Sequence, residues 1–290
     1  MDASFNSQFY TFEKKTYDVG FLDACVDATY IIHLEGNGRL PRIQEQLTSF
    51  QPTRTVYLLH NPGFTNGKKK LIDPVSYHDI NDAFLQCFSH ADKQGYNNIL
   101  ILEDDFLFSE RAKDITVVDR ISHFLASKQG SPFVYYLGCF PLIVHPCDFS
   151  SHHYTSLKSF TAHSVIYSKE ARTVALDFSY QHWDRILHHS IPHKYLYNEP
   201  LCYQTFPKTD HREKWISQRN FLSSTLLRTI FTVLNMETDP TFGFHLIYAG
   251  AKYIPLAAIL VSLICIWFLY RFYLPFSMTN TNNHINIDHI

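Results

Sequence analysis

The sequence predicts an α/β domain with parallel strands in its first half and a mixed second half, followed by one C-terminal transmembrane helix. Three observations carry this expectation. Short apolar runs alternate with amphipathic ones between residues 28 and 137. Ile99, Leu100, Ile101 and Leu102 run straight into Glu103, Asp104 and Asp105. No charged residue occurs from Tyr253 to Tyr270.

Taken in order, Ala28–His33 is a strand, and the turn Gly36-Asn37-Gly38 leads to Pro41 and a short helix through Leu47. Val56–His60 is a second strand, closed by Asn61-Pro62-Gly63. Ile80, Ala83, Phe84, Cys87, Phe88 and Ala91 follow the helical period, and Gly95 stands where it caps the end. The all-apolar run Ile99–Leu102 suits a strand buried on both faces. This β-α-β-α-β order predicts parallel strands joined by right-handed crossovers. Val117, Val118, Ile121, Phe124 and Leu125 mark a further helix, and Phe133–Leu137 a further strand. Beyond these the pattern loosens and becomes rich in Tyr, His and Pro, which suits a nucleotide-binding first half and an acceptor-shaping second half.

Acids at the carboxyl end of a parallel strand stand where open α/β sheets bind ligands. Crowded carboxylates repel one another and require a cation or strong hydrogen-bond donors nearby. Hard oxygen ligands suit Mg²⁺ or Mn²⁺ carrying a phosphorylated substrate. The simpler alternative is an acidic loop that ends a strand.

Near the C-terminus, about 20 apolar residues suffice to span a bilayer, and Lys252, Tyr270, Arg271, Phe272 and Tyr273 supply the basic and aromatic flanks of such a span. A fully buried core helix is the alternative. Residues 1–20 lack the apolar core of a secretory signal, so a tail-anchored protein with its large domain in the cytosol is expected. No Asn-x-Ser/Thr sequon occurs, and the six cysteines show no framework spacing, which favours free thiols. The expected division is an N-terminal extension (1–25), an α/β domain (26–216), a juxtamembrane segment (217–252), a transmembrane helix (253–274) and a polar tail (275–290). A net charge of −2 gives no support for nucleic acid as a partner. Lys68, Lys69 and Lys70 form the only basic run and, beside Asn66-Gly67, read as a solvated loop. The 17 histidines show no zinc spacing on a credible element.

Several of these stretches resemble the family 25 glycosyltransferases, the lipopolysaccharide and collagen sugar transferases. Tyr30-Ile31-Ile32-His33-Leu34 followed by Arg42–Leu47 is similar to their opening strand and helix, and Ile101–Asp105 to their acidic metal motif. Tyr136-Leu137-Gly138, Thr161–Ser168 around His163, His182–Arg185 and Pro200–Gln204 with Thr209-Asp210 resemble later family segments, in the same order. The phrase around residues 96–106 is also similar to glycosyltransferase-like proteins of large DNA viruses. The Arg-rich loop of the family is replaced here by Gly36-Asn37-Gly38-Arg39.

The resemblance implies a GT-A-like, Rossmann-type nucleotide-sugar domain. It also implies a nucleoside-diphosphate sugar donor, a glycan or glycoprotein acceptor, and Mn²⁺ or Mg²⁺ as cofactor. On an extended backbone Glu103 and Asp105 point to one side; Asp105 is then the direct metal ligand and Glu103 belongs to the metal shell or the ribose. Asp104 points away, toward the donor loop, and holds it. Inverting transfer needs a general base, and Asp184, beside Trp183, is the candidate, with an ordinary helix ion pair as its alternative. His163 is a further donor or metal contact, or a hydrogen-bonded structural residue. Arg42 contacts the nucleotide, or is a solvated helix residue. Gln204 and Asp210 enter through the resemblance alone. The runner-up function is a catalytically inactive module of the same fold at a membrane.

Overall fold

The computed structural model describes residues 3–65, 67–175, 182–206 and 221–272. Its centre is a seven-stranded mixed sheet built from β1 (Thr11–Thr16), β2 (Ala28–Leu34), β3 (Thr55–Asn61), β4 (Ile99–Glu103), β6 (Phe133–Pro146), β7 (His153–Tyr167) and β8 (His193–Tyr197), in the order β1-β3-β2-β4-β7-β6-β8. A two-stranded sheet pairs β5 (Phe106–Phe108) with β9 (Cys202–Gln204). The helices are α1 (Leu40–Ser49), α2 (Ser76–Gln94), α3 (Ile115–Ala126), α4 (Lys169–Ala175), α5 (Trp183–Ser190), α6 (Phe221–Val233) and α7 (Thr241–Phe272).

The first half folds as its periodicity requires. β2 pairs in parallel with both β3 and β4. Their side chains alternate between two cores. Tyr30, Ile32, Tyr57, Leu59, Ile99 and Ile101 face α2, where Phe84 and Phe88 meet Trp183 of α5. Ile31, Leu58, Leu100 and Leu102 face α1 and α3. Ile99–Leu102 are fully buried because helices cover both faces. Gly95 closes α2 in the left-handed region (φ 75°), donating its N–H to Ala91 and Asp92 carbonyls.

In the second half β7 runs antiparallel between β4 and β6, so the parallel order ends at β4. β6 and β7 form one long hairpin with several register shifts, and β8 pairs with both of them. Gly138 lies at one of those shifts; a Cβ there would overlap the Cys202 carbonyl and approach His163 Nε2. Its absence lets β9 cross close to β6.

Two parts of the chain differ from the sequence expectation. The segment expected as an N-terminal extension supplies β1, which pairs along its whole length antiparallel to Thr55–His60 of β3. Lys69 is not in a solvated loop but fully covered. Its ammonium pairs with Asp79 at 2.6 Å and donates to Tyr10 Oη at 2.8 Å and to Asn61 Oδ1. Tyr10 in turn donates to Asp82, and Asn61 to the other oxygen of Asp79. This network explains why α2 buries Asp79 and Asp82 as well as its apolar stripe. The six cysteines are free thiols.

α7 joins two environments in one helix. Phe244, Tyr248 and Ala251 are buried in the α2-side core, with Phe244 against Phe140 and Tyr248 against Cys139. From Tyr253 to Arg271 every residue except the half-buried Pro255 is exposed. The helix is long and apolar enough to cross a membrane, and none of its most apolar window is buried in the protein, which removes the core-helix alternative. The segment expected to be juxtamembrane thus ends as the docked base of the same helix, α7.

Because Lys69 is the buried countercharge of Asp79, Lys69→Met should destabilise the fold by about 3–5 kcal/mol. The fall of the urea midpoint of the full chain in detergent measures this. A change within about 0.5 kcal/mol, the range of surface substitutions, would mean that the network carries no stability.

Candidate active site

The site is built where β4 ends. The strand stops at Glu103, and Asp104 and Asp105 form a turn into β5. The extended alternation expected of the three acids therefore breaks after Glu103. Asp104 and Asp105 do not diverge, for one Arg39 guanidinium nitrogen donates to both, to Asp105 at 3.2 Å. Arg39 reaches them because Gly36 and Gly38, both with positive φ, turn the chain back over the strand ends.

Asp104 closes that turn. It accepts from the Leu34 amide at 3.0 Å, from the Asn37 amide nitrogen at 2.5 Å and from Arg39, and His33 Nδ1 lies 3.8 Å away. Burial alone would raise its carboxyl; His33, the Arg39 charge and the Leu34 amide together hold it below the usual carboxylate value. Asp105 is buried, with Gln204 Nε2 3.2 and 3.3 Å from its two oxygens. Burial pushes it up to about 6, with Arg39 and Gln204 opposing.

Glu103 differs from both. Its carboxylate makes no hydrogen bond or ion pair with any described residue, and burial followed by the like charges of Asp105, Asp184 and Asp104 pushes it well above the ordinary range. Asp184, in the first turn of α5, is thus brought to the same site. It accepts from the Thr161 amide at 3.1 Å, and burial raises it to about 6. Thr161 adopts φ 64°, a region that β-branched residues rarely enter. That strain aims its N–H at Asp184.

The remaining candidates fall behind this cluster. Arg42 donates to Thr205 Oγ1 at 3.0 Å, and the Thr205 amide donates to the Asp105 carbonyl at 3.1 Å, so Arg42 braces the backbone behind the acids. His163 is set apart: it is fully buried beside Phe244, with Nε2 3.3 Å from the Cys202 carbonyl, and burial lowers it to about 4. The imidazole is thus neutral and covered, apart from the acid cluster. Asp210 lies outside the described residues. Arg39 and Thr161 were not candidates from sequence. A Gly-x-Gly turn before an Arg was a signal for the first; a left-handed Thr leaves none.

Two observations bear on a divalent cation. Gln204 Oε1 and Thr161 Oγ1 are buried beside the cluster without hydrogen-bond partners among the described residues. No group of three or more His, Cys, Asp or Glu side chains among those residues is arranged to enclose a metal. Mg²⁺ and Mn²⁺ fit such a place, since they are commonly held by one or two carboxylates with water and substrate phosphate completing the shell. Glu103 and Asp105 are the residues that would hold one.

No family model and no curated protein matches this sequence. Among solved structures the chain is similar to a mannose-1-phosphate geranyltransferase from Thermus thermophilus, at 12% identity over 59% of this chain and 72% of that one, with a TM-score of 0.34. It is also similar to a glycosyltransferase involved in the glycosylation of the major capsid of PBCV-1, at 8% identity over 54% and 67% of the two chains, with a TM-score of 0.31. A third is an apo UDP-glucose pyrophosphorylase, at 8% identity over 60% and 74%, with a TM-score of 0.35. The functional reading of this chain rests on its own acid cluster.

The raised Asp184 pKa fixes the sign of a stability effect. A carboxyl that ionises less readily folded than unfolded favours the fold while protonated. Its benefit is complete below the ordinary 3.8 and is lost as pH rises through about 6. Asp184→Asn should therefore raise the melting temperature well above pH 6 and make no difference below the ordinary value. A variant that melts lower at neutral pH would contradict the burial argument.

Proposed function

We propose that this chain is a membrane-anchored glycosyltransferase of the hexosyltransferase type. It moves a sugar from a nucleoside-diphosphate sugar to a glycan or protein acceptor, with inversion, and uses Mn²⁺ or Mg²⁺. The observation that supports this best is Glu103: a carboxylate without a partner at the end of a buried strand, among three other carboxylates. Such a group keeps its proton until a ligand brings positive charge to it, which makes it a natural place for a cation to bind.

In this reading Glu103 and Asp105 would hold the cation, which would supply Lewis-acid charge to the diphosphate as leaving group. Asp104 and Arg39 fix the loop after β2 that borders the donor. Asp184 takes the proton of the acceptor hydroxyl as its oxygen bonds to the anomeric carbon. The bond from that carbon to the diphosphate breaks, and the diphosphate leaves with the electron pair. A base with a pKa near 6 is ionised at neutral pH yet close enough to it to be effective. The exposed apolar length of α7 would hold the domain at a membrane, on its cytosolic side.

One observation favours a second reading, a catalytically silent module of the same fold. Arg39 already gives Asp104 and Asp105 a countercharge, so these acids can persist without a metal.

Donor binding and transfer separate the roles. Asp184→Asn should lower transfer about 100-fold or more while keeping donor affinity, and the wild-type rate should rise through about pH 6 as Asp184 ionises. Asp105→Asn should remove metal-dependent donor binding with an unchanged circular dichroism spectrum. Equal loss of binding and transfer in Asp184→Asn would assign that residue a structural role, and intact metal-dependent binding in Asp105→Asn would remove it from the cation site.

A further inference from the structure

The tip of the β6–β7 hairpin lies where α7 leaves the protein. Along α7 the contacts travel down β7, from Phe244 against His163 to Lys252 against Tyr154. Lys252 Nζ donates to the Asn198 carbonyl at 2.8 Å, and the Asn198 amide donates to the His152 carbonyl at 2.9 Å. His152 belongs to the tip, so one residue separates the last anchored turn of the helix from the hairpin turn. Immediately beyond, the bare stretch from Tyr253 to Arg271 spans about 28 Å at 1.5 Å per residue, close to the roughly 30 Å of a hydrocarbon core.

The tip carries a bulky apolar side chain with nothing over it. Phe149 is fully exposed, more so than any other large apolar residue described. It is not a loose end. The Cys147 amide donates to the His153 carbonyl at 2.8 Å, and Asp148 Oδ1 accepts the Ser150 amide at 2.9 Å and its hydroxyl. Ser151 adopts a positive φ of 53° to complete the turn. A built turn that holds a Phe outward has already met the entropy of ordering it.

We propose that this tip, residues 147–152, seats on the lipid surface and inserts Phe149 into the bilayer interface beside the emerging helix. The proposal rests on the membrane reading of α7. Its occupant is lipid because the exposed apolar length of α7 begins beside the tip, and the start of that length fixes the height of the interface. A second contact would stop the domain from turning freely about the α7 axis, holding the acid cluster in one orientation to the membrane. Aromatic side chains are the usual residues at that depth.

Tryptophan quenching tests this on the full chain in nanodiscs of phosphatidylcholine and phosphatidylserine, with bromine placed either near the headgroup or deep in the acyl chains. Trp267→Phe alone is compared with Trp267→Phe combined with Phe149→Trp, so that Trp183 and Trp215 contribute equally to both. The added indole should emit at shorter wavelength than in water and lose most of its emission to shallow bromine, and less to deep bromine. The native chain compared with Trp267→Phe reports the span independently. Quenching of Trp267 without quenching of the added indole would overturn the tip contact and leave the anchor standing. Quenching of neither would overturn the anchor, and the tip contact with it.

Discussion

Four carboxylates converge at the carboxyl end of β4, and Arg39 is the one cationic side chain that touches any of them among the described residues. The rest of the architecture serves or answers this concentration of charge. β4 is buried on both faces up to Leu102, so Glu103 is delivered, half-buried, to the rim of the sheet. Asp104 spends its hydrogen bonds on the loop after β2, and Asp105 on Gln204 of β9. Glu103 and Asp184 are left with raised pKa values and few donors. Like charges held together out of water raise the energy of the unliganded state. A polyvalent ligand that brings positive charge relieves it.

Around that cluster the protein uses stiff supports. The stack of Phe84 on Trp183, 4.3 Å between ring centres and 9° from parallel, seats α5 and hence Asp184. Thr161, in a strained conformation on β7, supplies the amide that Asp184 accepts. The same β7 continues to the hairpin tip beside the base of the exposed helix. One strand therefore links the candidate base to the end of the domain from which the exposed helix leaves.

Much of this was legible in the sequence because it is local. The apolar runs of β2, β3 and β4, the helical stripe from Ile80 to Ala91 and the Gly95 cap are set by period and backbone preference, and they stand where expected. The meeting of Glu103, Asp105 and Asp184 was legible through motif order. What was hidden depends on tertiary pairing. Nothing in residues 153–167 tells that β7 inserts antiparallel between β4 and β6. Lys69 looked solvated because its neighbours are polar, while its partners are Tyr10, just before β1, Asn61 of β3 and Asp79 of α2. His163 looked available in a Ser/Thr-flanked strand, but Phe244 of α7 covers it. Arg39 was overlooked because its role comes from a turn that brings it onto acids 65 and 66 residues away.

The most direct measurement is a calorimetric titration of the full chain in detergent with UDP- and GDP-sugars, first with Mn²⁺ and then with chelator. The account predicts that one donor class binds with Mn²⁺ present and is released by the chelator. A folded protein that binds no donor, or one whose donor binding ignores the chelator, would contradict the assignment of Glu103 and Asp105 as a cation site for a nucleotide sugar.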